Sequence, residues 1–515
     1  MKKLFMFLTV AAMSASLSAA EMNIYASGLK AGDVDASNKV EINYLLNAPA
    51  TAVTLQLIQN DAVVKEIAIT GEANLTKGAH AVTVDLSVAD PGTYNWAIKA
   101  AAAANEALVN VLDYDKNMYN FYLPMGVAVN TNPENDYFGY TYVTEAMNGA
   151  SDGSWTMSKA TKNGIFVYNP SMELLNKDYT GYKGGVTFGG SATTGPRRPR
   201  IDANGYVYVA DNGAATAGLW RIDPADPSAD FVTILKPEAG INSFEIVGSG
   251  EDMAVYTLTI NSDLTTGSIK KYAVGEKTNY TEEPLIYIDS IGKYLGLVNN
   301  YNSIVSDGKG GFWIAQNRGQ VIYETYPVLL HVNATGEADY KIKKGENEGV
   351  LDTIPGGKMN YNTSARGAVA VSPDGKQLAF GSDRKVYVFD ITYDAVTGVP
   401  TLDRAYVTPS LRDANKGANV DGLSFDYAGN LYALCATVEQ LFVFAPAKAD
   451  NSCVTPAKKA SMLTVAKSAT ALEDLTGMAP GRKGVFTITG QYLGESVQNL
   501  PAGMYIVNGQ KMIIR

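Results

Sequence analysis

Six times between Asn135 and Ala445 the chain sets down the same unit: a Gly-bearing turn, an alternating apolar run, a variable connection, and a second run that ends in polar or Pro turn residues. The first runs are FGYTYVT (138–144), GYVYVAD (205–211), DMAVYTL (252–258), GFWIAQN (311–317), KQLAFGS (376–382) and NLYALCA (430–436). Their partners are GIFVYNP (164–170), GLWRIDP (218–224), SIKKYAV (268–274), VLLHVNA (328–334), KVYVFDI (385–391) and QLFVFAP (440–446). Such runs, rich in β-branched and aromatic residues and bounded by Gly, Pro and Asp, read as strands. With Gly139, Gly205, Gly250, Gly311, Gly375 and Gly429 as anchors, the spacings are 66, 45, 61, 64 and 54 residues. A recurrence of that length, with loop insertions, is the signature of β-propeller blades. A single strand pair cannot bury both of its faces, whereas blades closed into a ring cover one another. The pattern therefore predicts a six-bladed β-propeller over 113–448, and MYNFYLP (118–124) is the run expected to complete the last blade and close the ring.

Composition bounds the rest. A chain of 515 residues, 46% hydrophobic, is long enough for about three domains. A net charge of −10, with one local basic cluster at Arg197, Arg198 and Arg200, argues against nucleic acid, which needs a concentrated cationic face. Residues 1–20 have the layout of a secretory signal: Lys2 and Lys3, an apolar run from Leu4 to Met13, and small residues ending at Ser18, Ala19 and Ala20. No later stretch reaches the roughly 20 apolar residues of a membrane span. Export permits a disulfide between Cys435 and Cys453, although Cys435 lies in an apolar strand where a buried thiol is the commoner state. With His80 and His331 as the only histidines, a zinc site has almost no ligands to draw on, and neither a metal nor another cofactor is expected.

Three parts follow along the chain. In 21–112, NKVEINYLL (38–46), ATAVTLQLI (50–58), AVVKEIAI (62–69), HAVTVDL (80–86) and GTYNWAIKA (92–100) are short strands separated by turn residues, the pattern of a β-sandwich. Over about 75 residues this order, with its Tyr-x-Leu strand, Gly-x-His turn and Pro-Gly-Thr-Tyr close, resembles the Ig-like domain of flagellar hook-capping proteins. That resemblance implies a spacer or assembly module without catalysis. VYVADNG and KVYVFDI resemble YVTN and NHL-type propeller repeats, which carry fold more than function. Residues 449–480 read as a linker. The tail 481–515 contains GVFTITGQYLGESVQNLPAGMYIVNGQKMIIR, in which Asn508-Gly509 between alternating runs signals a hairpin. It resembles the C-terminal sorting domain of type IX secretion, which implies secretion machinery as a partner and a secreted or outer-membrane surface address in a Gram-negative bacterium, the periplasm being the other compartment open to it. A last hairpin docked on the ring is the alternative.

If the FGYTYVT-type strand is second in each blade, the connections from second to third strand share a face with those that enter the first. That face would collect Trp155, Arg197, Arg198, Asn212, Glu245, Asn302, Asn317, Tyr323, Arg366, Asp383 and Asp421. Aromatic rings among fixed polar groups suit a glycan or protein ligand, with Trp155 stacking on it and Arg197 and Arg366 orienting its polar groups. The same residues can instead pair with neighbouring blades. Gluconolactonase-like propellers hold a divalent cation through carboxylates and amides, and Glu145, Glu245, Asn302, Asp383 and Asp421 could supply oxygens, but the ordered set of that family cannot be assigned here. Noncatalytic recognition is the function expected, with a sugar hydrolase or lyase, or a structural adhesin, as the alternatives.

Overall fold

The computed structural model describes residues 21–515 apart from 113–116, 150–160, 192–193, 214, 237–240, 242, 259–266, 290, 296–301, 317–325, 344, 355–357, 360–366, 383, 412–419, 467–483 and 509. The described chain is all-β, with short 3-10 turns and one α-helix of four residues, Gly292–Leu295. Six strands open it: β1 (Ala26–Ala31), β2 (Lys39–Leu46), β3 (Ala52–Gln59), β4 (Ala62–Ile69), β5 (Gly78–Asp85) and β6 (Gly92–Ala101). They form two antiparallel sheets, β1-β2-β5 and β6-β3-β4. In β2 Lys39 and Glu41 face water while Val40 and Ile42 are buried, the period of two that one covered face requires. Ile42, Tyr44, Leu55, Leu57, Trp96 and Ile98 join in one core between the sheets.

The stretch expected as a linker, 449–480, instead supplies two strands to this first unit. Ser452–Pro456 pairs antiparallel with β6, Cys453 opposite Ala100, and Leu463–Val465 pairs with the start of β6, Leu463 opposite Tyr94. Leu463 and Val465 belong to the first core, and Ser461 accepts a hydrogen bond from Trp96 Nε1 at 3.1 Å. These runs, of five and three residues, are too short to show a period of their own. The backbone groups on the outer edge of β6 make them strands. The ring is thus inserted between β6 and the strand that completes its sheet. Cys435 and Cys453 are both thiols.

Between them six antiparallel sheets follow one another. Blade one contains Pro124–Val129, Thr141–Glu145 and Gly164–Tyr168, extended by a bridge from Ile165 to Tyr182. Blade two contains Pro196–Ile201, Val207–Asp211, Gly218–Ile222 and Val232–Leu235; blade three contains Phe244–Val247, Ala254–Leu258, Ile269–Tyr272 and Leu285–Ile288. In blade four the strands are Asn302–Ser306, Phe312–Gln316, Leu329–Val332 and Ala338–Ile342, and in blade five Val369–Val371, Gln377–Ser382, Lys385–Tyr393 and Pro400–Val407. Blade six contains Val420–Phe425, Leu431–Cys435 and Gln440–Ala445. The first strand of each blade touches the first strand of the next, and the sixth returns to the first, so the ring is closed. Second strands such as Thr141–Glu145, Phe312–Gln316 and Leu431–Cys435 are buried at every position, because neighbouring blades cover both of their faces.

Closure is made elsewhere than MYNFYLP predicts. A two-residue strand, β7 (Val109–Asn110), is the outermost strand of blade six, with Asn110 opposite Phe444 and Val109 opposite Ala445. Of 118–124, Asn120 bridges to Gln440 and Phe121 N–H bonds to Glu439 O, but Pro124 already begins the innermost strand of blade one. A closing strand that short carries no readable pattern; pairing with Gln440–Ala445 defines it.

An amide network ties the ring to the first unit. Asn430 Oδ1 accepts Asn23 N–H at 2.7 Å, Asn430 Nδ2 donates to Asn23 O at 2.9 Å, and Asn451 Oδ1 accepts Ile24 N–H at 2.9 Å. The tail forms its own sheet, Val485–Thr487 lying between Tyr492–Gly494 and Gly503–Val507, with Gln510–Ile514 outermost. Asn508, at φ 52, turns that last hairpin.

Candidate functional site

The recurring glycine has a structural cause. In the turn from first to second strand, Asp202 Oδ1 accepts the N–H groups of Asn204 and Tyr206 at 3.0 and 2.9 Å. Asp307 does the same for Lys309 and Gly311 at 2.7 and 2.8 Å, and Asp426 for Ala428 and Asn430 at 3.0 and 2.9 Å. A carboxylate that folds the backbone onto itself in this way needs a left-handed residue three positions on. Gly205, Gly310 and Gly429 supply it at φ 90, 92 and 85, so in blade four the left-handed residue is Gly310 and not the expected anchor Gly311. At Gly205 a Cβ would stand 1.6 Å from Asn135 Oδ1, so only glycine fits. The second oxygens reach into the blades: Asp202 Oδ2 accepts from Tyr208, Asp307 Oδ2 lies 3.1 Å from His331 Nε2, and Asp426 Oδ2 accepts from Asn430 Nδ2.

The first strands surround a channel whose cavity measures about 400 Å³. Its lining mixes polar and apolar groups: Val127, Val129, Val369, Leu423 and Phe425 border it with side chains packed into the cores between blades, and the turn residues Asn130, Thr131, Asn132, Asp202, Ala203 and Pro373 line one end. Arg200 and Glu245 bring charge into this wall, Nε to Oε2 at 3.1 Å, with side chains 15% and 10% exposed. Arg200 Nη2 also donates to Ile304 O at 3.0 Å, so one side chain of blade two reaches across to blade four. Burial pushes the Glu245 carboxyl above the usual range even against the Arg200 charge.

The residues singled out in the sequence divide sharply. Trp155, Asn317, Tyr323, Arg366 and Asp383 lie outside the described residues. Glu245 stands in the channel beside Arg200. Arg197 and Arg198 are buried, 1% and 5% exposed, at a bulge in the pairing of the first two strands of blade two. Arg198, at φ 42, sends Nη1 to Asp421 O in blade six at 3.2 Å. The first strands of blades one, two and six come together there over glycine: a Cβ on Gly126 would meet Arg198 Cα at 2.7 Å, and one on Gly422 would meet Gly126 Cα at 2.8 Å. Asp421 Oδ2 accepts Ala436 N–H at 2.8 Å. Asn302 is fully buried at the start of its strand, opposite Gln316, and Asn212 is half-buried.

Other acids are committed to architecture. Asp211 accepts the N–H groups of Gly189, Gly195 and Gly213 at 2.6, 3.0 and 2.7 Å and the Thr216 hydroxyl at 2.9 Å. Glu145 accepts the N–H groups of Tyr122 and Leu123 at 2.8 and 2.7 Å, and burial nonetheless drives its carboxyl up to about 8. His331 lies between Asp339 and Asp307, at 2.6 and 3.1 Å, with its ring 4.6 Å from that of Trp313. Among the described residues no group of three or more His, Cys, Asp or Glu is placed to hold a metal ion, and no helix is long and apolar enough to cross a membrane.

No protein-family model and no curated protein sequence matches the chain. Among solved structures it is similar to a Bacteroides thetaiotaomicron protein of unknown function, at 10% identity over 81% of this chain and 98% of that one, with a TM-score of 0.40. It is also similar to an auxiliary nutrient binding protein of the same organism, at 10% identity over 81% and 96% of the two chains, TM-score 0.39. A Trichoderma reesei member of a carbohydrate-active enzyme family is 11% identical over 67% of this chain and 97% of that one, TM-score 0.38.

Sequence reading picked out Glu245 but missed the rest of the channel lining, because Pro and Arg break the pattern of the first strands, as in PRRPRI (196–201). The available signal was positional. Each Asp-x-x-Gly turn marks the end of a first strand, so the residues just before it face the axis.

Proposed function

We propose that this is an exported, noncatalytic recognition protein whose ring receives part of an extracellular glycan or protein at its channel. Export is supported by the signal layout of residues 1–20, and a surface address by the likeness of the tail to sorting domains; Ig-like character for the first unit is part of the same reading. The observation that carries the binding role is the cavity of about 400 Å³ on the ring axis, with mixed polar and apolar lining and the Arg200–Glu245 ion pair set into it. A concave site with a few fixed polar groups orients what enters. Asp202, Asp211, Asp307, Asp426 and Glu145 engage both of their oxygens in hydrogen bonds within the fold, which favours recognition over acid–base chemistry.

Val371 lines the channel and is half-buried, packed in part against the core of blades four and five, so Val371→Phe adds bulk at the channel wall. We expect this variant to weaken binding at least tenfold in calorimetry against an array-selected glycan or protein ligand, with the melting temperature within a few degrees of the parent. Unchanged affinity in the folded variant would remove the channel from the binding surface. Turnover of the ligand by the parent protein would replace recognition with catalysis.

A further inference from the structure

On the face of the ring that carries the first-to-second strand turns, a groove of about 430 Å³ crosses three blades. Asn135, Asp136 and Tyr137 come from blade one, Asn204, Tyr206, Asp223 and Pro224 from blade two, and Glu276 from blade three. We propose that this groove is a glycan-binding subsite for a neutral oligosaccharide, distinct from the channel. The proposal goes beyond the channel reading and does not need it.

The floor of the groove is built to hold its shape. Asn135 is buried; its Nδ2 donates to Ala203 O at 2.9 Å and its Oδ1 accepts from Asn130 Nδ2 at 2.8 Å. Asn132 Nδ2 donates to the same Ala203 O at 2.7 Å, which locks the turn of blade two to that of blade one. Tyr137 is braced edge-on against Tyr140, with centroids 5.4 Å apart, and Tyr206 carries the Arg221 guanidinium 4.6 Å from its centroid. Two half-buried tyrosines are thus held in place on neighbouring blades, and rings held in this way stack on a ligand with little loss of side-chain entropy.

The polar groups select among ligands. Asp136 is paired with Lys458 at 2.6 Å, and Asp223 Oδ1 accepts Ala225 N–H at 2.9 Å. Arg221 already occupies a cation position on Tyr206. What this leaves for a ligand is ring surface, the Asn204 amide and carboxylate oxygens of Asp223 and Glu276, a set that matches hydroxyl donors on a sugar. The acidic rim works against uronate or sulfate groups through like-charge repulsion. An open groove across three blades fits a chain of sugar rings better than a single small molecule.

The test is calorimetry of the full mature chain with hexasaccharides of glucan, mannan and xylan, and with poly-lysine as a cationic probe. One of the neutral hexasaccharides should bind, Tyr137→Ala should weaken it about tenfold, and Tyr137→Phe should retain it, since the ring carries the contact. Glu276→Gln, at an exposed position, should weaken binding severalfold at an unchanged melting temperature, so the proposal stays testable if the tyrosine variant fails to fold. The proposal is overturned if none of the hexasaccharides binds, if Tyr137→Ala and Glu276→Gln both bind as the parent does, or if poly-lysine binds in their place.

Discussion

His331 is a residue whose role its sequence context conceals. It lies in an apolar strand and is 1% exposed, yet both of its ring nitrogens face carboxylates. Burial pulls its pKa down, and the hydrogen bonds and charges of Asp307 and Asp339 outweigh that and raise it. A raised folded pKa means that this stabilisation is complete below the unfolded value near 6.5 and is lost as pH rises through the folded value. For Asp307, burial pushes upward, His331 and the turn N–H groups pull down, and the net shift is downward; its contribution is present above the usual carboxylate range and is lost in acid. The pair is therefore expected to be most stabilising between those limits. Removing one partner leaves a buried charge without its counterpart, which costs about 3–5 kcal/mol. We expect His331→Ala to lower the melting temperature measurably at pH 6, and by less as pH rises well above neutrality. A loss that is the same at every pH would mean that packing against Trp313, rather than charge, accounts for the effect.

At the scale of elements the ring-closure seam is the informative place. The second strand of blade one ends in Glu145, whose carboxyl takes the N–H groups of Tyr122 and Leu123 and so fastens the segment after β7 to blade one. Burial raises this carboxyl from its ordinary 4.5 to about 8, against the pull of those N–H groups and with the nearby charge of Glu439 adding to the rise. The folded state then holds a proton that the unfolded chain has already released, so stability falls as pH climbs from about 4.5 to 8. Glu145→Gln, which keeps an acceptor oxygen and cannot ionise, should flatten that fall in denaturant titrations across the same range. A pH profile identical to the parent's would show that Glu145 is ionised in the fold at neutral pH. Elements differ in how plainly they can be read. Second and third strands are visible because burial from both sides demands long apolar runs, as in NLYALCA and QLFVFAP. First strands are harder to see where Pro, Arg or Gly interrupts them, as in PRRPRI (196–201), and β7 is only two residues long.

The whole molecule is organised by the insertion of the ring into the first unit. The ends of the insert meet there: Ala102 N–H bonds to Asn451 O at 2.8 Å, and Asn105 bridges to Lys448. Stopping the chain after Lys448 would remove both return strands, expose the edge of β6 and uncover Leu463 and Val465, each contributing roughly 1.5–3 kcal/mol of burial. We expect that truncation to make 21–101 sensitive to limited proteolysis, whereas a chain stopped after Ala466 should resist it as the parent does. Equal resistance of both would show that β1–β6 are stable without their return strands. The six-fold Gly turn and the paired apolar runs determined an all-β propeller by themselves, because turn chemistry and two-sided burial act within a dozen residues and leave their mark locally. The linker that is two strands, the closing strand at Val109–Asn110, the Arg200–Glu245 pair and the groove between Tyr137 and Tyr206 were decided by tertiary structure alone. Each depends on groups far apart in the chain, and a contact between distant residues leaves no period or spacing to read.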